Sequence, residues 1–163
     1  MASETFFVYP TPLGRITLAC DGTGLTRVVF GVQELPGIYA PCEITNRAST
    51  QIQEYLAGKR KTFDLPLRPL GTQFQRNVWD KLQTIPYGQT RSYKEVAQML
   101  GNPKAMRAVG MANNKNPLPI VIPCHRVIGT NGDLVGYAFG LKIKKFLLDL
   151  EKNTLAKEQA QKV

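Results

Sequence analysis

The sequence predicts an α+β fold: a small N-terminal β-sheet domain with one helix, followed by a mainly helical C-terminal domain. Three observations support this prediction. β-Branched and aromatic residues dominate the first third of the chain. Capping boxes and helix-period apolar residues dominate the rest. A basic, extended stretch at 59–69 separates the two patterns, so we expect domains at 1–68 and 69–151 and a polar C-terminal tail at 152–163.

The N-terminal domain is predicted to be a sheet that carries one helix. Its β-branched and aromatic stretches favour strands, and the Asp/Gly-rich stretch at 21–24 is typical of a hairpin turn. A run with helical periodicity stops at Gly58, which is expected to end the helix. The other predicted elements, in chain order, are strands 5–8, 14–20 and 25–32, a Pro/Gly loop at 35–41 and a helix at 47–57.

The C-terminal domain begins with a strong helix signal. Thr72 and Gln75 can form a capping box, in which each side chain bonds the other residue's backbone N–H. The apolar residues that follow share one helical face: Phe74, Val78, Trp79 and Leu82. A turn is expected at 85–88.

Two short helices come next and form a helix-turn-helix candidate. Ser92 and Glu95 can form a second capping box, and this helix is expected to run through Leu100. Asn102 is then expected to cap the second short helix, with Pro103 at its first position.

The second short helix, expected to end near residue 112, is unusual for an exposed helix. Small side chains share one of its faces: Ala105, Ala108 and Ala112. Met106 and Val109 can fill the face toward the core. Small side chains would let the helix lie close to a nucleic-acid groove, even the minor groove, with Arg107 as a cationic probe. The alternative is a packed helix pair with an alanine-rich interface.

The Pro-Cys-His-Arg stretch at 123–126 is the most informative part of the chain. It follows an apolar run at 118–122, which we interpret as a buried strand, and it contains the only histidine. The thiolate is the reactive form of cysteine, and a neighbouring imidazole or cation makes it available near neutral pH. Cys124 and His125 are therefore a candidate nucleophile and base. The alternatives are an inert buried thiol and a core histidine.

A final helix is predicted at 140–150. Its apolar residues are Leu141, Phe146, Leu147 and Leu150. The polar segment 152–163 is expected to fray.

The charge of the chain indicates an anionic partner. Lysine and arginine total 21 and the acidic residues total 12, which gives a net charge of +9. Between positions 84 and 131 there are six basic residues and one acid, Glu95. The only histidine lies in the same segment, so the candidate chemistry and the positive field coincide. A solvated basic face is the alternative.

Cysteine spacing and hydropathy argue against several classes of protein. Cys20, Cys42 and Cys124 form no C-x-x-C pair, which argues against a disulfide scaffold and a zinc site. Residues 1–11 lack the pattern of a secretory signal, and no apolar run is long enough to cross a membrane. We expect no metal, no cofactor, no membrane association, and a cytoplasmic location, or a nuclear one in a eukaryote.

Several ordered blocks closely resemble the O6-alkylguanine-DNA alkyltransferases (methylated-DNA–protein-cysteine methyltransferases). The match covers about 72–151, whereas the earlier residues fit the family's variable β-rich domain in pattern only. Ordered blocks at matching spacings are more specific than a lone motif. The blocks are Ile85-Pro86-Tyr87-Gly88, Tyr93, Gly101-Asn102-Pro103, Arg107-Ala108-Val109-Gly110, Asn116-Pro117, 122–129, Gly136-Tyr137, Gly140-Leu141 and 147–151.

The resemblance implies DNA repair by irreversible, stoichiometric transfer of an alkyl group from O6 of guanine in duplex DNA to Cys124. The second short helix is expected in the minor groove, and the damaged guanine is expected to leave the base stack to reach the cysteine. Arg107 would fill the vacated space. Tyr93 would press on the adjacent phosphate and later protonate the departing base. Activity on O4 of thymine stays open.

The resemblance also assigns the remaining site residues. His125 is expected to act as the base through a water, Glu151 to fix its tautomer, and Asn116 to brace the active-site turn. The protein is expected to act once, as a monomer without a cofactor. The expected DNA contacts are Arg107, Ala105, Ala108, Tyr93, Lys104, Gly110 and Arg126. The expected pocket residues are Val127, Tyr137, Ala138, Phe139 and Gly140.

Two positions depart from the family pattern. Val135 and Phe139 are bulkier than the glycine-like residues often found in this loop, which leaves the pocket width open.

Two other functions remain as alternatives to alkyl transfer. They are a non-enzymatic helix-turn-helix damage sensor or regulator, and a cysteine hydrolase or redox enzyme with Cys20 or Cys42 as resolving thiol. The repair interpretation expects the Cys124 sulfur to be accessible beside the helix pair.

Overall fold

The computed structural model describes residues 4–134 and 137–162, which form two compact units. The first comprises the residues up to Leu70 together with Pro117–Val121. The second comprises Gly71–Asn116 and the residues from Ile122 onward. A β-sheet with one long helix makes up the first unit, and helices dominate the second. The predicted α+β class is therefore confirmed.

The first unit is built on a four-stranded sheet. Its elements are β1 (Thr5–Tyr9), β2 (Ile16–Cys20), β3 (Leu25–Phe30), β4 (Ile38–Tyr39) and α1 (Glu43–Leu56). The order across the sheet is β3-β2-β1-β4, in which only the β1–β4 pair is parallel. Thr5 pairs with Cys20 and Tyr9 with Ile16. Tyr9 Oη donates to Thr45 Oγ1 at 2.8 Å, which ties this strand to the first turn of α1.

The helix α1 begins earlier than the predicted 47–57. Cys42 is its N-cap: Cys42 Sγ accepts from the Thr45 backbone N–H at 3.4 Å, and Thr45 Oγ1 accepts from the Cys42 N–H at 3.0 Å. Cysteine is not among the preferred capping residues, so the sequence carried no usual start signal. The predicted end is close, because α1 stops at Leu56 and Gly58 adopts a φ of 75°.

The second unit confirms both predicted capping boxes. Thr72 caps α2 (Gln73–Leu82) with Gln75 as its reciprocal partner, and Ser92 caps α3 (Tyr93–Met99) with Glu95. Two short strands, β5 (Arg91–Ser92) and β6 (Val127–Ile128), pair in parallel. The elements are α2 (Gln73–Leu82), β5 (Arg91–Ser92), α3 (Tyr93–Met99), α4 (Met106–Asn114), β6 (Val127–Ile128) and α5 (Leu141–Gln161).

The second helix of the helix-turn-helix differs from its prediction. A 3₁₀ turn at Pro103–Ala105 precedes α4, and the Asn102 side chain makes no capping bond. Met106, expected to face the core, is 44% exposed, whereas Val109 and Ala112 are buried. The three alanines therefore do not share an exposed face. The exposed face of this segment consists of Lys104, Met106, Arg107, Ala108, Met111 and Asn114.

The predicted strand at 118–122 is wrong. The chain forms turns there, and Ile120 has a φ of 72°, which is costly for a β-branched residue. Its apolar side chains are buried all the same, as the hydropathy indicated. Burial and strand formation produce the same apolar run in a sequence, so periodicity could not separate them. The next residues, Cys124–Arg126, form a 3₁₀ turn.

The final helix is longer than predicted and buries a different face. The expected fraying at 152–163 is wrong for the described residues, because α5 continues to Gln161. Leu141 and Phe146 are exposed. The buried face consists of Lys144, Leu147, Glu151 and Thr154, whose spacing follows helical periodicity. This helix therefore carries two buried ionisable groups into the second unit.

Candidate active site

Cys124 opens the 3₁₀ turn, and two buried asparagines hold that turn. Asn113 Nδ2 donates to the Cys124 carbonyl at 3.4 Å, and Asn116 Nδ2 donates to the Ile122 carbonyl at 2.9 Å. Trp79 Nε1 donates to the Ala112 carbonyl at 2.9 Å and fixes the end of α4 that carries Asn113. Asn116 is thus placed where a bracing residue was expected, and Asn113 is a second brace that the sequence did not reveal.

The Cys124 side chain is fully buried, at 0% exposure. The expectation of an accessible sulfur is therefore wrong for this state of the protein. Burial raises the pKa of the thiol to about 11, although Asn116, Tyr137 and Lys144 oppose the shift. The resting group is a neutral thiol at pH 7, in a setting of polar and aromatic side chains. Reaction at this sulfur requires both exposure and loss of its proton.

Glu151 is the centre of a buried hydrogen-bond network. Glu151 Oε2 lies 2.7 Å from His125 Nε2 and accepts from Arg126 Nη2 at 2.9 Å. Glu151 Oε1 accepts from Arg126 Nε and from the Gly88 backbone N–H, both at 2.9 Å. Arg126 Nη1 also donates to the Ile85 carbonyl at 2.7 Å. The glutamate thus joins the Cys-His-Arg turn to the predicted turn at 85–88.

This network fixes the protonation of its members. Bonds from His125 and Arg126 outweigh burial and lower the pKa of Glu151 to about 2, so the carboxylate is ionised. Burial lowers the pKa of His125, against the opposing effect of Glu151. The imidazole is therefore neutral at pH 7. Because an ionised carboxylate can only accept, the Nε2 atom of His125 carries the proton.

Arg126 does not occupy the position expected of a DNA contact. It is 7% exposed, and its guanidinium bonds Glu151 with two nitrogen atoms and the Ile85 carbonyl with the third. A bidentate pair of this kind fixes the carboxylate in one orientation. The residue therefore faces inward, and its predicted role requires correction.

Lys144 is a site residue that sequence reasoning missed. Its ammonium donates to the Val127 carbonyl at 2.5 Å and lies 5.8 Å from the centre of the Tyr137 ring. Burial lowers the pKa of Lys144 to about 8, and the negative charge that Cys124 carries as a thiolate opposes this shift. A cation at this place favours a thiolate. Its spacing from Leu147 and Glu151 places Lys144 on the buried face of α5. A second lysine follows it directly in the sequence, however, and such a pair is typical of an exposed surface.

The expected pocket residues divide by exposure. Val127 and Tyr137 are buried, Phe139 is half-buried, and Ala138 and Gly140 are exposed. Tyr137 and Phe139 pack edge to face, with ring centres 5.2 Å apart. Tyr137 also lies close enough to Cys124 for the two groups to affect each other's pKa. The departure noted at Val135, and the matching Gly136, lie outside the described residues.

A cavity of about 440 Å³ lies along the exposed face of α4. Its lining consists of Tyr93, Met106, Arg107, Gly110, Met111, Asn114, Gly129 and Thr130. Tyr93 also borders the cysteine: burial and the Cys124 charge raise the pKa of Tyr93, and Asn113 opposes them. Of the expected DNA contacts, Lys104, Arg107 and Ala108 are exposed, and Ala105 and Gly110 are half-buried.

Within residues 4–134 and 137–162, no three His, Cys, Asp or Glu side chains cluster in a way that could hold a metal ion. No helix in that same part of the chain has the length and apolarity needed to span a bilayer.

Comparison with known proteins gives consistent matches along the chain. The family model of the 6-O-methylguanine DNA methyltransferase DNA-binding domain matches residues 73–153. The model of the ribonuclease-like domain of the same methyltransferase matches residues 6–69. These two ranges together span most of the sequence.

Individual relatives match over nearly their full length. The methylated-DNA–protein-cysteine methyltransferase of Methanosarcina acetivorans is 52% identical, over 90% of this chain and 97% of that protein. The constitutive enzyme of that name from Bacillus subtilis is 46% identical, over 87% and 92%. Mycobacterium tuberculosis OGT in complex with DNA has a TM-score of 0.85 and 42% identity, over 92% of this chain and 94% of that chain. The chain therefore belongs to the methylated-DNA–protein-cysteine methyltransferase family.

Proposed function

We propose that this protein repairs DNA by moving an alkyl group from O6 of guanine to its own Cys124. Membership of the family supports alkyl transfer and DNA as the partner. The observation that carries the residue assignment is the buried Cys124 placed beside a neutral His125, which is held by an ionised Glu151. A nucleophile, its base and an orienting carboxylate form the arrangement needed for an activated sulfur.

DNA binding is assigned to the exposed face of α4 and of the 3₁₀ turn that precedes it. Lys104 and Arg107 supply positive charge there, and Ala108 leaves the backbone open to close approach. Ala105 and Gly110 extend this low-profile surface. Arg107 lines the same cavity as Tyr93, which supports its assignment to the space that a flipped base leaves in the stack. We assign Arg126 to positioning Glu151 instead of contacting DNA.

Base flipping explains how a buried cysteine meets its substrate. The O6 substituent cannot reach a buried sulfur from within a stacked duplex, so the nucleotide must rotate out. Val127 and the residues from Tyr137 to Gly140 are assigned to the pocket that receives the guanine. Part of this wall is expected to shift when the base enters, because Cys124 is closed off in the free state. Damaged or mispaired bases have a lower unstacking cost, which favours their selection.

The chemical step needs activation of the thiol, one displacement at the alkyl carbon and protonation of the departing guanine. His125 Nδ1 is the acceptor of the neutral imidazole, since Nε2 donates to Glu151. It takes the Cys124 proton through a water, and the Lys144 charge stabilises the thiolate. The sulfur then forms a bond to the alkyl carbon while the carbon–O6 bond breaks. Tyr93 gives a proton to the departing guanine, and the proton that His125 took from Cys124 then returns to Tyr93 through solvent.

The bond formed on Cys124 is expected to limit each protein molecule to a single turnover. The bond formed is a thioether, and the assigned site offers no group that reverses it. Duplex DNA with O6-methylguanine should regain one guanine per protein molecule and then stop, whatever the excess of DNA. Quantifying guanine by enzymatic digestion and chromatography measures this limit. Repair beyond one equivalent would indicate a hydrolase-like turnover, and no repair with retained binding would indicate a damage sensor. A duplex with O4-methylthymine in a parallel assay defines the second substrate.

Arg107→Ala should impair duplex repair more than reaction with a free base. The loss of a DNA contact of this type costs about 1–3 kcal/mol, so we expect roughly a tenfold or greater drop in duplex repair rate. Reaction with free benzylguanine, which needs no flipping, should stay near wild type. Exposed Arg76 on α2 provides the matched control, Arg76→Ala. Equal losses on both substrates would contradict the role of Arg107 in extrusion.

We assign different roles to the two domains that the sequence predicts. We assign binding and chemistry to residues 69–151, with the β-rich residues 1–68 as a separate domain. The protein is expected to act as a monomer where its DNA lies, in the cytoplasm or in a eukaryotic nucleus.

A further inference from the structure

A second pair of reactive groups lies in the first unit, outside the alkyl-transfer site. Cys20 ends β2 and Cys42 caps α1, and the structure holds both as free thiols. The two thiols lie close enough for each to affect the pKa of the other. We propose that they form a dithiol modification site that a hydroperoxide oxidises to an intramolecular disulfide.

The contacts of Thr5 and Thr45 hold the two sulfurs in place. Thr5 is the cross-strand partner of Cys20, and Thr5 Oγ1 lies 3.2 Å from Cys20 Sγ. Thr5 also lies close enough to Cys42 to lower its pKa. On the other side, the Thr45 backbone N–H donates to Cys42 Sγ at 3.4 Å. Both sulfurs are thus fixed by defined partners at the same point of the fold.

The surroundings give the two cysteines different roles. Cys20 is 1% exposed, whereas Cys42 is partly exposed and sits at the N-terminus of a 14-residue helix. A helix N-terminus favours negative charge on a capping sulfur. In agreement, hydrogen bonds from Cys20 and Thr45 outweigh burial and lower the pKa of Cys42, while burial raises the pKa of Cys20. A partly exposed cysteine with a lowered pKa beside a buried thiol is the arrangement found in redox-sensing pairs.

The proposed reaction balances in two steps. The Cys42 thiolate attacks one oxygen of hydrogen peroxide, which breaks the O–O bond and leaves a sulfenic acid on Cys42 and one hydroxide. Cys20 sulfur then attacks the Cys42 sulfur, and the sulfenic oxygen leaves as water after taking up a proton. Two thiols lose two electrons, and the peroxide is reduced to two waters. A dithiol reductant reverses the change by thiol–disulfide exchange.

The test uses the full chain treated with a small excess of hydrogen peroxide under native conditions. Remaining thiols are blocked with N-ethylmaleimide before digestion with trypsin. Cleavage after Arg15, Arg27 and Arg47 separates the two cysteines into peptides 16–27 and 28–47. We expect these peptides to appear linked, with both cysteines unblocked, and to separate on reduction. Oxidation of Cys42 should be several-fold faster in folded protein than in urea-unfolded protein.

Two variants make the roles distinguishable. Serine is a preferred N-cap, so Cys42→Ser should keep α1 and its Tm while it abolishes oxidation at this site. Cys20→Ser should let a Cys42 sulfenic acid accumulate, which dimedone traps. Cys42 oxidation without linkage to Cys20 in the wild type would overturn the proposal. So would Cys42 reactivity equal to that of the unfolded chain. Both outcomes are independent of alkyl transfer, because the readout is the 16–27 and 28–47 peptides.

Discussion

Cys124→Ser should abolish alkyl transfer. A serine hydroxyl is far less acidic than a thiol and a weaker nucleophile toward saturated carbon, and one buried imidazole cannot compensate for both. We expect no detectable methyl on the variant after prolonged exposure to methylated duplex, measured by intact-protein mass spectrometry. Affinity for duplex DNA should remain within about twofold of wild type, because the substitution leaves the contacts proposed between α4 and the phosphates unchanged.

The control for this prediction is another cysteine in the same chain. Cys42→Ser removes a thiol from the first unit and should leave transfer at the wild-type level. Methyl transfer to the Cys124→Ser protein would show that another residue is the acceptor. Loss of both DNA binding and transfer would show that Cys124 has a structural role. Equal Tm values for the wild type and the Cys124→Ser variant would exclude such a role.

Glu151→Gln should have the second largest effect, on rate and on stability together. The amide cannot accept bonds from His125, Arg126 and Gly88 as an ionised carboxylate does. Breaking a buried ion pair leaves the Arg126 charge uncompensated, which costs about 3 kcal/mol of unfolding free energy. The imidazole also loses the partner that sets its tautomer, and we expect a drop of about 100-fold in transfer rate at temperatures where the variant is folded.

The pH dependence of stability provides an independent readout of the same residue. The carboxylate pKa falls from 4.5 to about 2 on folding, so its stabilisation is complete above pH 4.5 and is lost between there and pH 2. The His125 pKa is lowered from 6.5, so the unfolded chain takes up that proton first and stability also falls below pH 6.5. Urea unfolding of wild type should therefore weaken steadily toward acid. The variant should show a flatter curve below pH 4.5.

Asp149→Asn is the matched control for Glu151→Gln. Asp149 lies two residues away on α5, is exposed, and pairs only with Lys145 in a surface i,i+4 bridge among the contacts described. Such pairs contribute about 0.3–0.5 kcal/mol, so rate and stability should change little. If Glu151→Gln kept wild-type transfer with unchanged acid unfolding, the assignment of the glutamate would be wrong.

Much of this fold follows from local signals in the sequence. The capping boxes at Thr72 and Ser92 mark helix starts because the reciprocal side-chain bonds form within one turn. Such contacts do not depend on the rest of the fold. The start of α1 could not be predicted in the same way, because a cysteine at position 42 fills a role that serine or threonine usually signals.

The site was harder to predict where long-range contacts decide the outcome. The inward orientation of Arg126 and the burial of Lys144 depend on helix α5. Basic side chains are normally exposed, so both residues looked like surface positions. The burial of Cys124 also depends on contacts between separate elements, because its neighbours Asn113 and Tyr137 lie more than ten residues away in the chain. The proposal of Cys124 and His125 as nucleophile and base, by contrast, needed only local features: their adjacency, the apolar run before them and the single histidine of the chain.

Peptide mass mapping tests the central claim most directly. The full chain is mixed with an excess of duplex DNA that carries one O6-methylguanine, and tryptic peptide 116–126, which holds Cys124 and His125, is fragmented. We predict one methyl group on the Cys124 sulfur of every active molecule, and none on Cys20 or Cys42. An unmodified peptide 116–126 after the DNA has been repaired, or a methyl group on any other residue, would contradict the account.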